Sequence, residues 1–439
     1  MGSYWLHGPV PLEHPTFLTR RREVDEIAAR IEKADCYVAV LGSRQTGKTT
    51  LLYELIATYA GRWDFVCYDL QNWGDLDIPT AYIRLSEEAA RKLNLSPRLN
   101  TSEIKNGTKF EDFVAELASL THGSRLVFLV DEPEGLTEQT SSQIGSTFRK
   151  IFTDKNMVPA HSKVVFVLFS SLDLYRLSAK LNSPLRNVTE CVYLNERDFS
   201  ADAIRRLADA GGLGSNAERV FWWTQGHPYL SQRLCSILEG NPALSVDEAA
   251  NELIYGGDVN IEHVLKHSEK YLETLERIWR GEKVKFSRGT PQLRELELIG
   301  LIRRDSSSYC MARNEIYRQA AQDLLEAKEQ PTPKADVWRD QKGDVWVRRG
   351  DKHIRISMEE FSTKEYAFFN ILYNNCGKPC SKMTIWEAVW PEYIHGGPNP
   401  DLIFQVVSRL REIIEPDSRN PRYIITVRAI GGYKLVGCA

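Results

Sequence analysis

The sequence predicts a three-layer α/β domain on a mostly parallel sheet. A mainly helical region, a linker and a small domain of three helices closed by a β-hairpin are expected to follow. Three observations carry that prediction. Apolar runs at residues 37–41, 65–70, 126–130 and 164–169 alternate with amphipathic stretches, as strands covered on both faces do. A loop with glycines at 42 and 47 separates the first run from an apolar helical segment. Near the C-terminal end, capped amphipathic segments at helical spacing give way to a β-rich stretch.

At 439 residues the chain exceeds one hydrophobic core, so two or three domains are expected. With 42% hydrophobic and 26% charged residues, the composition is that of a globular protein. No apolar run approaches the roughly 18 residues of a membrane span. The start, Met1-Gly-Ser-Tyr-Trp-Leu-His7, lacks a basic flank and an apolar stretch, so no secretory signal and a cytoplasmic location are expected. Most of the eight scattered cysteines sit inside apolar segments, which suits reduced core thiols. Cys376 and Cys380 form the one close pair, without a second pair at finger-like spacing, so no zinc site is expected. From Pro331 onward 16 Lys and Arg face 13 Asp and Glu, against 40 and 46 before it. An acidic body with a basic tail has the asymmetry of a nucleic-acid reader attached to something else.

The loop reads Gly42-Ser43-Arg44-Gln45-Thr46-Gly47-Lys48-Thr49-Thr50 between an apolar strand and a helix. Glycines there let the backbone curl its N–H groups toward phosphate oxygens, at the positive end of the helix that follows. Lys48 is placed to reach the β- and γ-phosphates of ATP, and the Thr49 hydroxyl to ligate Mg2+. The complementary half is the strand at 126–130 ending in Asp131-Glu132. Asp131 would hold magnesium mostly through water, and Glu132 would polarise the attacking water. A plain helix cap is the other reading of that acid pair. A further strand ends in Ser170-Ser171, either beside the γ-phosphate or simply starting a loop.

These residues resemble the STAND branch of the AAA+ P-loop ATPases, specifically the bacterial AAA-like group. The lead-in Phe17-Leu-Thr-Arg20-Arg-Arg-Glu23 is similar to the family's motif before the first strand, with Thr19 where many members have glycine. Thr224-Gln-Gly226-His227-Pro228-Tyr229 resembles the Gly-x-Pro motif of the helical lid, although a plain interhelical turn also fits. The resemblance implies nucleotide contacts from Arg20, His227 and Pro228. Residues 293–311 with Asn314-Glu-Ile-Tyr317 look like the winged helix that closes this module. The implied domains are an ATPase core at 1–195, a helical lid at 196–260 and a first winged helix at 261–327. In residues 178–190, Lys180, Arg186 and Asn187 are the candidates for a γ-phosphate sensor or a finger toward a neighbouring subunit.

After a linker at 328–343, residues 344–439 resemble the OmpR/PhoB-type winged helix-turn-helix. Ser362 and Glu365 form a capping box for its first helix. Residues 381–390 make a second helix, whose Trp386 and Trp390 share a core-facing side. The third, at 401–414, carries Ile403, Val407, Leu410 and Ile414 on one face. The wing spans residues 422–434. The resemblance implies double-stranded DNA as partner. Gln405, Ser408, Arg409 and Arg411 would face bases or phosphates, Thr426 would touch phosphate, and Arg428 would be the wing arginine. Glu412 stands where relatives often carry a basic residue. A protein-interaction module is the competing reading of this domain.

Together these features point to an ATP-dependent switch with a DNA-binding output, most simply a transcription regulator with slow ATPase activity. It would form a homo-oligomer in the ATP state and answer an unidentified protein activator. A DNA-handling ATPase (an initiator, transposition or defence factor) and an ATP-binding protein scaffold are the rival readings.

Overall fold

The computed structural model describes residues 2–96, 99–171, 184–329, 336–340, 342–349, 352–392, 397–427 and 431–438. It opens with α1 (Arg21–Lys33), β1 (Tyr37–Leu41), α2 (Lys48–Tyr59), β2 (Asp64–Asp69), α3 (Ile78–Lys92) and α4 (Gly107–Leu120). Next come β3 (Leu126–Asp131), α5 (Glu138–Thr153), β4 (Val164–Ser170) and β5 (Thr189–Tyr193). The five strands form one parallel sheet in the order β2-β3-β4-β1-β5. Its central strands are apolar throughout because both faces are covered: β1 and β4 are buried along their whole length. Helices α1, α2, α4 and α5 turn Ile27, Leu52, Phe113 and Phe148 into the same core.

The register places the predicted site residues along one edge. Leu41 pairs with Ser170 and Asp131 with Phe169, so the loop after β1 and the acids after β3 leave the sheet at the same level. β4 stands between β1 and β3. The chain order runs β2, β3, β4 toward β1 and then crosses to β5 on its other side. Such a reversal opens a crevice at the carboxyl ends of the strands.

Beyond the sheet follow α6 (Ala201–Ala210), α7 (Ala217–Thr224), α8 (Pro228–Gly240), α9 (Val246–Tyr255), α10 (Val259–Ser268), α11 (Leu272–Trp279) and α12 (Pro291–Ile299). A short hairpin, β6 (Ile302–Arg304) with β7 (Cys310–Ala312), leads into α13 (Glu315–Glu329). Packing divides the chain into two compact units, Met1–Ala250 with His267–Arg318 and Asn251–Lys266 with Gln319–Ala439.

The second unit contains an antiparallel sheet of β8 (Val337–Arg339), β9 (Val345–Arg349) and β10 (Lys352–Ile356). Then come α14 (Thr363–Asn374), α15 (Lys382–Val389), α16 (Pro400–Ile414) and the hairpin β11 (Ile424–Val427) with β12 (Gly432–Leu435). The Ser362–Glu365 capping box forms as expected, a feature worth about 1 kcal/mol. Trp386 and Trp390 stack at 4.8 Å in the core with Ile403, Val407, Leu410 and Ile414. One expectation is corrected. Cys376 is not a free core thiol but is disulfide-bonded to Cys438, across a Cα–Cα distance of 6.1 Å. The polypeptide brings the two together because the Gly377 amide donates to the Leu435 carbonyl (2.8 Å) and the Asp336 amide to the Gly437 carbonyl (2.6 Å). Cys380 stays reduced in the core.

Candidate nucleotide site and nucleic-acid interface

The loop after β1 curls because Gln45 and Gly47 take positive φ (59° and 81°). Gly42 is required by space: a Cβ there would lie 2.7 Å from Thr46 Oγ1 and 3.1 Å from Leu194 Cβ. No side chain caps the start of α2, so its first N–H groups are left to an anion. Lys48 is buried and donates to the carbonyls of Gly42 (3.1 Å) and Ser43 (3.2 Å). Burial lowers its pKa, and the charges of Glu132, Glu134 and Asp131 oppose that. Arg44 and Gln45 are exposed at the crest of the loop, while Thr46 is buried and bonded to the Ser43 carbonyl. Thr50 Oγ1 accepts from the Val10 amide at 3.2 Å.

At the neighbouring strand end, Thr49 Oγ1 donates to Asp131 Oδ2 at 2.8 Å. Asp131 Oδ1 is buried with no hydrogen-bond partner. An orphaned carboxylate oxygen beside a hydroxyl is the hard-oxygen set that suits Mg2+. Glu132 sits in the left-handed region at φ 50°, a conformation a non-glycine residue holds only where its surroundings impose it. Burial and then the charge of Glu134 push its carboxyl up to about 7, against the pull of Lys48. A carboxyl that titrates near neutrality in a cleft is suited to handle a proton.

Glu134 was not foreseen from the sequence, although the run Asp131-Glu-Pro-Glu134 holds it in view. It accepts from Ser170 Oγ (2.8 Å), the Ser171 amide (2.8 Å) and Ser171 Oγ. Burial works to raise its carboxyl, but the hydrogen bonds from Ser171 and Glu132 hold it below the ordinary value. Ser170 is thus placed beside the acids, fully buried, through Glu134.

Arg20 braces the loop from outside the sheet. Its guanidinium donates to the Thr46 carbonyl (3.0 Å) and the Arg197 carbonyl (2.7 Å) and lies 4.6 Å over the Phe199 ring. His227 caps α8 and is fully buried, with Nε2 3.5 Å from the Tyr317 hydroxyl. Burial, together with Arg313 and Arg20, holds it well below its ordinary pKa. Pro228 follows as the first residue of α8. Gly226 has no substitute: at φ +78°, an added Cβ would meet the Phe199 carbonyl at 1.9 Å. Lys180 lies outside the described residues, and Arg186 and Asn187 are exposed.

The largest addition is Arg313, fully buried between β7 and α13. It makes a two-pronged ion pair with Asp198 (2.6 and 2.8 Å), and the same guanidinium donates to Ser43 Oγ at 2.8 Å and Asn195 Oδ1 at 3.3 Å. Asn195 in turn accepts from the Ser43 amide at 2.9 Å. A loop residue is therefore held by a residue 270 positions later. No local pattern announces Arg313, since its meaning depends wholly on tertiary contact.

In the second unit, Gln405 and Arg409 are exposed on α16 and Ser408 is half-buried. Arg409 pairs with Glu412 at 2.8 Å. Arg411 folds back: it donates to the Ile424 carbonyl (2.7 and 3.1 Å) and to Thr426 Oγ1 (2.8 Å), fastening α16 to the hairpin. Arg428 lies outside the described residues.

The family model described as AAA-like domain matches residues 5–323. The model described as transcriptional regulatory protein, C terminal, matches residues 358–435. A probable transcriptional regulator, ycf27, from Galdieria sulphuraria is 33% identical over 85 residues, 19% of this chain. The chain spans 31% of the length of that curated relative. Among solved structures, the Walker-type ATPase PABY2304 of Pyrococcus abyssi matches 73% of this chain and 99% of its own, at 13% identity and a TM-score of 0.47. The Thermotoga maritima RuvB Holliday junction branch migration motor matches 69% and 95%, at 15% identity and a TM-score of 0.34. The chain thus belongs to the AAA-like domain family and ends in a domain of the OmpR/PhoB transcriptional-regulator type.

Proposed function

We propose that this protein is an ATP-dependent switch that sets how a DNA-binding domain is presented, and that it acts as a transcription regulator. The observation that carries the reading is the hydrogen bond from Arg313 to Ser43, which ties the phosphate loop to the segment entering α13. A change in the loop on binding ATP is then felt by the chain leading out of the ATPase unit. Lys48 and the free N–H groups of α2 would bind the phosphates. Thr49 and Asp131 would hold Mg2+, which would offset the charge of the phosphates. Glu132, titrating near neutrality beside Glu134, would orient and polarise the attacking water, and hydrolysis would reset the switch. Assembly of the ATP state into a homo-oligomer would array several winged helices on double-stranded DNA, in answer to a protein activator.

Footprinting and titration of duplex DNA by the nucleotide-free, ADP-bound and ATP-bound chain test the proposal. Identical affinity and stoichiometry in all three states would refute it. Lys48→Ala should abolish nucleotide binding, and calorimetry showing retained ATP affinity would remove the site.

A second reading, a DNA-handling ATPase with little sequence preference, is favoured by one observation. Arg409 is paired with Glu412 and Arg411 is held by the hairpin, and these are the two cations of α16, so neither is unengaged for reading bases. Affinity that depends on salt and not on sequence would favour it.

A further inference from the structure

The first unit contains a cavity of about 580 Å³ that shares no residue with the loop or the strand-end acids. Its volume is in the range of small-molecule sites. Trp222 at the end of α7, Trp279 at the end of α11 and Tyr309 before β7 supply aromatic surface. Trp222 is 43% exposed and Met311, also lining the cavity, 38%. The Arg219 guanidinium lies 4.0 Å over one face of Trp222, and the rest of that ring stays open beside Met311; apolar surface gathered at a concave site suits a ligand with an apolar body.

The lining carries three cations, Lys283, Arg303 and Arg318, and three acids, so its charges balance in number but not in pairing. Of the acids lining it, Glu282 is paired with Arg277, Glu315 is paired with Arg318, and Asp305 accepts the amides of Ser307 and Tyr309. Arg303 differs. Its Nη2 donates to Gln225 Oε1 at 3.2 Å, but its buried Nε has no hydrogen-bond partner. No carboxylate among the described residues forms an ion pair with it, although burial already disfavours its charge. Asn314, 3% exposed and also lining the cavity, has a buried Nδ2 without a partner. Two orphaned donors at one cavity, one of them cationic, are costly unless an acceptor arrives.

We infer that this cavity is a ligand site for a small organic anion with a flat apolar body, its acid group meeting Arg303 and its rings lying against Trp222 and Trp279. The location gives such a ligand leverage on the nucleotide site. Gln225 precedes the Gly226-His227-Pro228 turn, and Ala312 and Asn314 flank Arg313, the residue that grips Ser43.

The aromatic sulfonate anilinonaphthalenesulfonate, which brightens in apolar surroundings, is a suitable probe. Its uncharged counterpart N-phenylnaphthylamine serves as control. The full chain should bind the sulfonate saturably at one site. Affinity should fall at least tenfold in Arg303→Gln and, as a change at an exposed position that leaves folding intact, in Trp222→Ala. The uncharged compound should bind at least tenfold more weakly. Binding should persist in Lys48→Ala, so this site and the phosphate loop stand or fall separately. Absence of saturable binding, unchanged affinity in both cavity variants, equal affinity for the uncharged compound, or loss of binding in Lys48→Ala would each overturn the assignment.

Discussion

Replacing Glu132 by glutamine should make the protein more stable at pH 8 while stopping the proposed hydrolysis. The carboxyl is moved from an ordinary 4.5 to about 7 by burial and by the nearby charge of Glu134. A displacement of that size corresponds to about 3 kcal/mol of unfavourable charge energy, at about 1.4 kcal/mol per pH unit. Glu132 is only half-buried, so solvent screening reduces this to about 1–2 kcal/mol. The sign follows from proton counts. With a folded pKa above the unfolded one, the penalty is absent below pH 4.5, grows as pH rises and is complete once pH has passed through 7. Glu134 is displaced the other way, and its contribution is lost only as pH falls through its lowered pKa, outside a comparison of pH 5 with pH 8. Glutamine mimics the protonated acid. Thermal unfolding of the nucleotide-free chain should therefore show Glu132→Gln melting roughly 3–6 °C above the parent at pH 8, with most of that gain absent at pH 5. An equal shift at both pH values, or none at pH 8, would show that the paired acids do not store this energy.

Three further outcomes are expected. Gly42→Ala forces a Cβ to within 2.7 Å of Thr46 Oγ1; it should cost about 1–3 kcal/mol of stability and at least tenfold in nucleotide affinity, and calorimetry showing native affinity would refute the packing argument. Arg313→Met strands buried Asp198, a loss of about 3–5 kcal/mol, whereas Arg313→Met with Asp198→Leu should recover more than half of it; simple additivity in denaturant melts would show the two side chains to be uncoupled. On α16, Arg409→Ala should leave stability unchanged and lower the salt dependence of DNA binding by about one charge. Arg411→Ala should cost about 1 kcal/mol through its lost hydrogen bonds to the hairpin, and equal stability of the two variants would contradict the geometry.

What could be read ahead of the structure was local. The four apolar runs became β1 to β4 nearly residue for residue; β1, β3 and β4 are buried along their whole length and so leave no polar alternation to blur their limits. β5 escaped notice: Thr189–Tyr193 includes Glu190 and a half-buried threonine, as befits a sheet edge. The juxtaposition of Thr49 with Asp131 followed from two motifs. Glu134, Asn195, Asp198 and Arg313 did not, since each acquires its partner from a distant part of the chain. The disulfide was hidden for the same reason: Cys376 and Cys438 are 62 positions apart. Conversely, Arg411 and Thr426 were each expected to face DNA, and nothing in their spacing foretold that they would bond to each other.

The sharing of one guanidinium among Asp198, Ser43 and Asn195 bears on how the AAA-like unit can move. Lifting the segment before α13 off the loop would strand a positive and a negative charge at once, in a place water scarcely reaches. Partial displacement gains nothing, so intermediate positions are disfavoured and motion there is two-valued rather than gradual. A penalty of several kcal/mol keeps the displaced form below about 1% of molecules at rest. A ligand can reverse that balance only by binding the displaced form more tightly by the same amount. The threshold for change is thereby built into a single buried side chain.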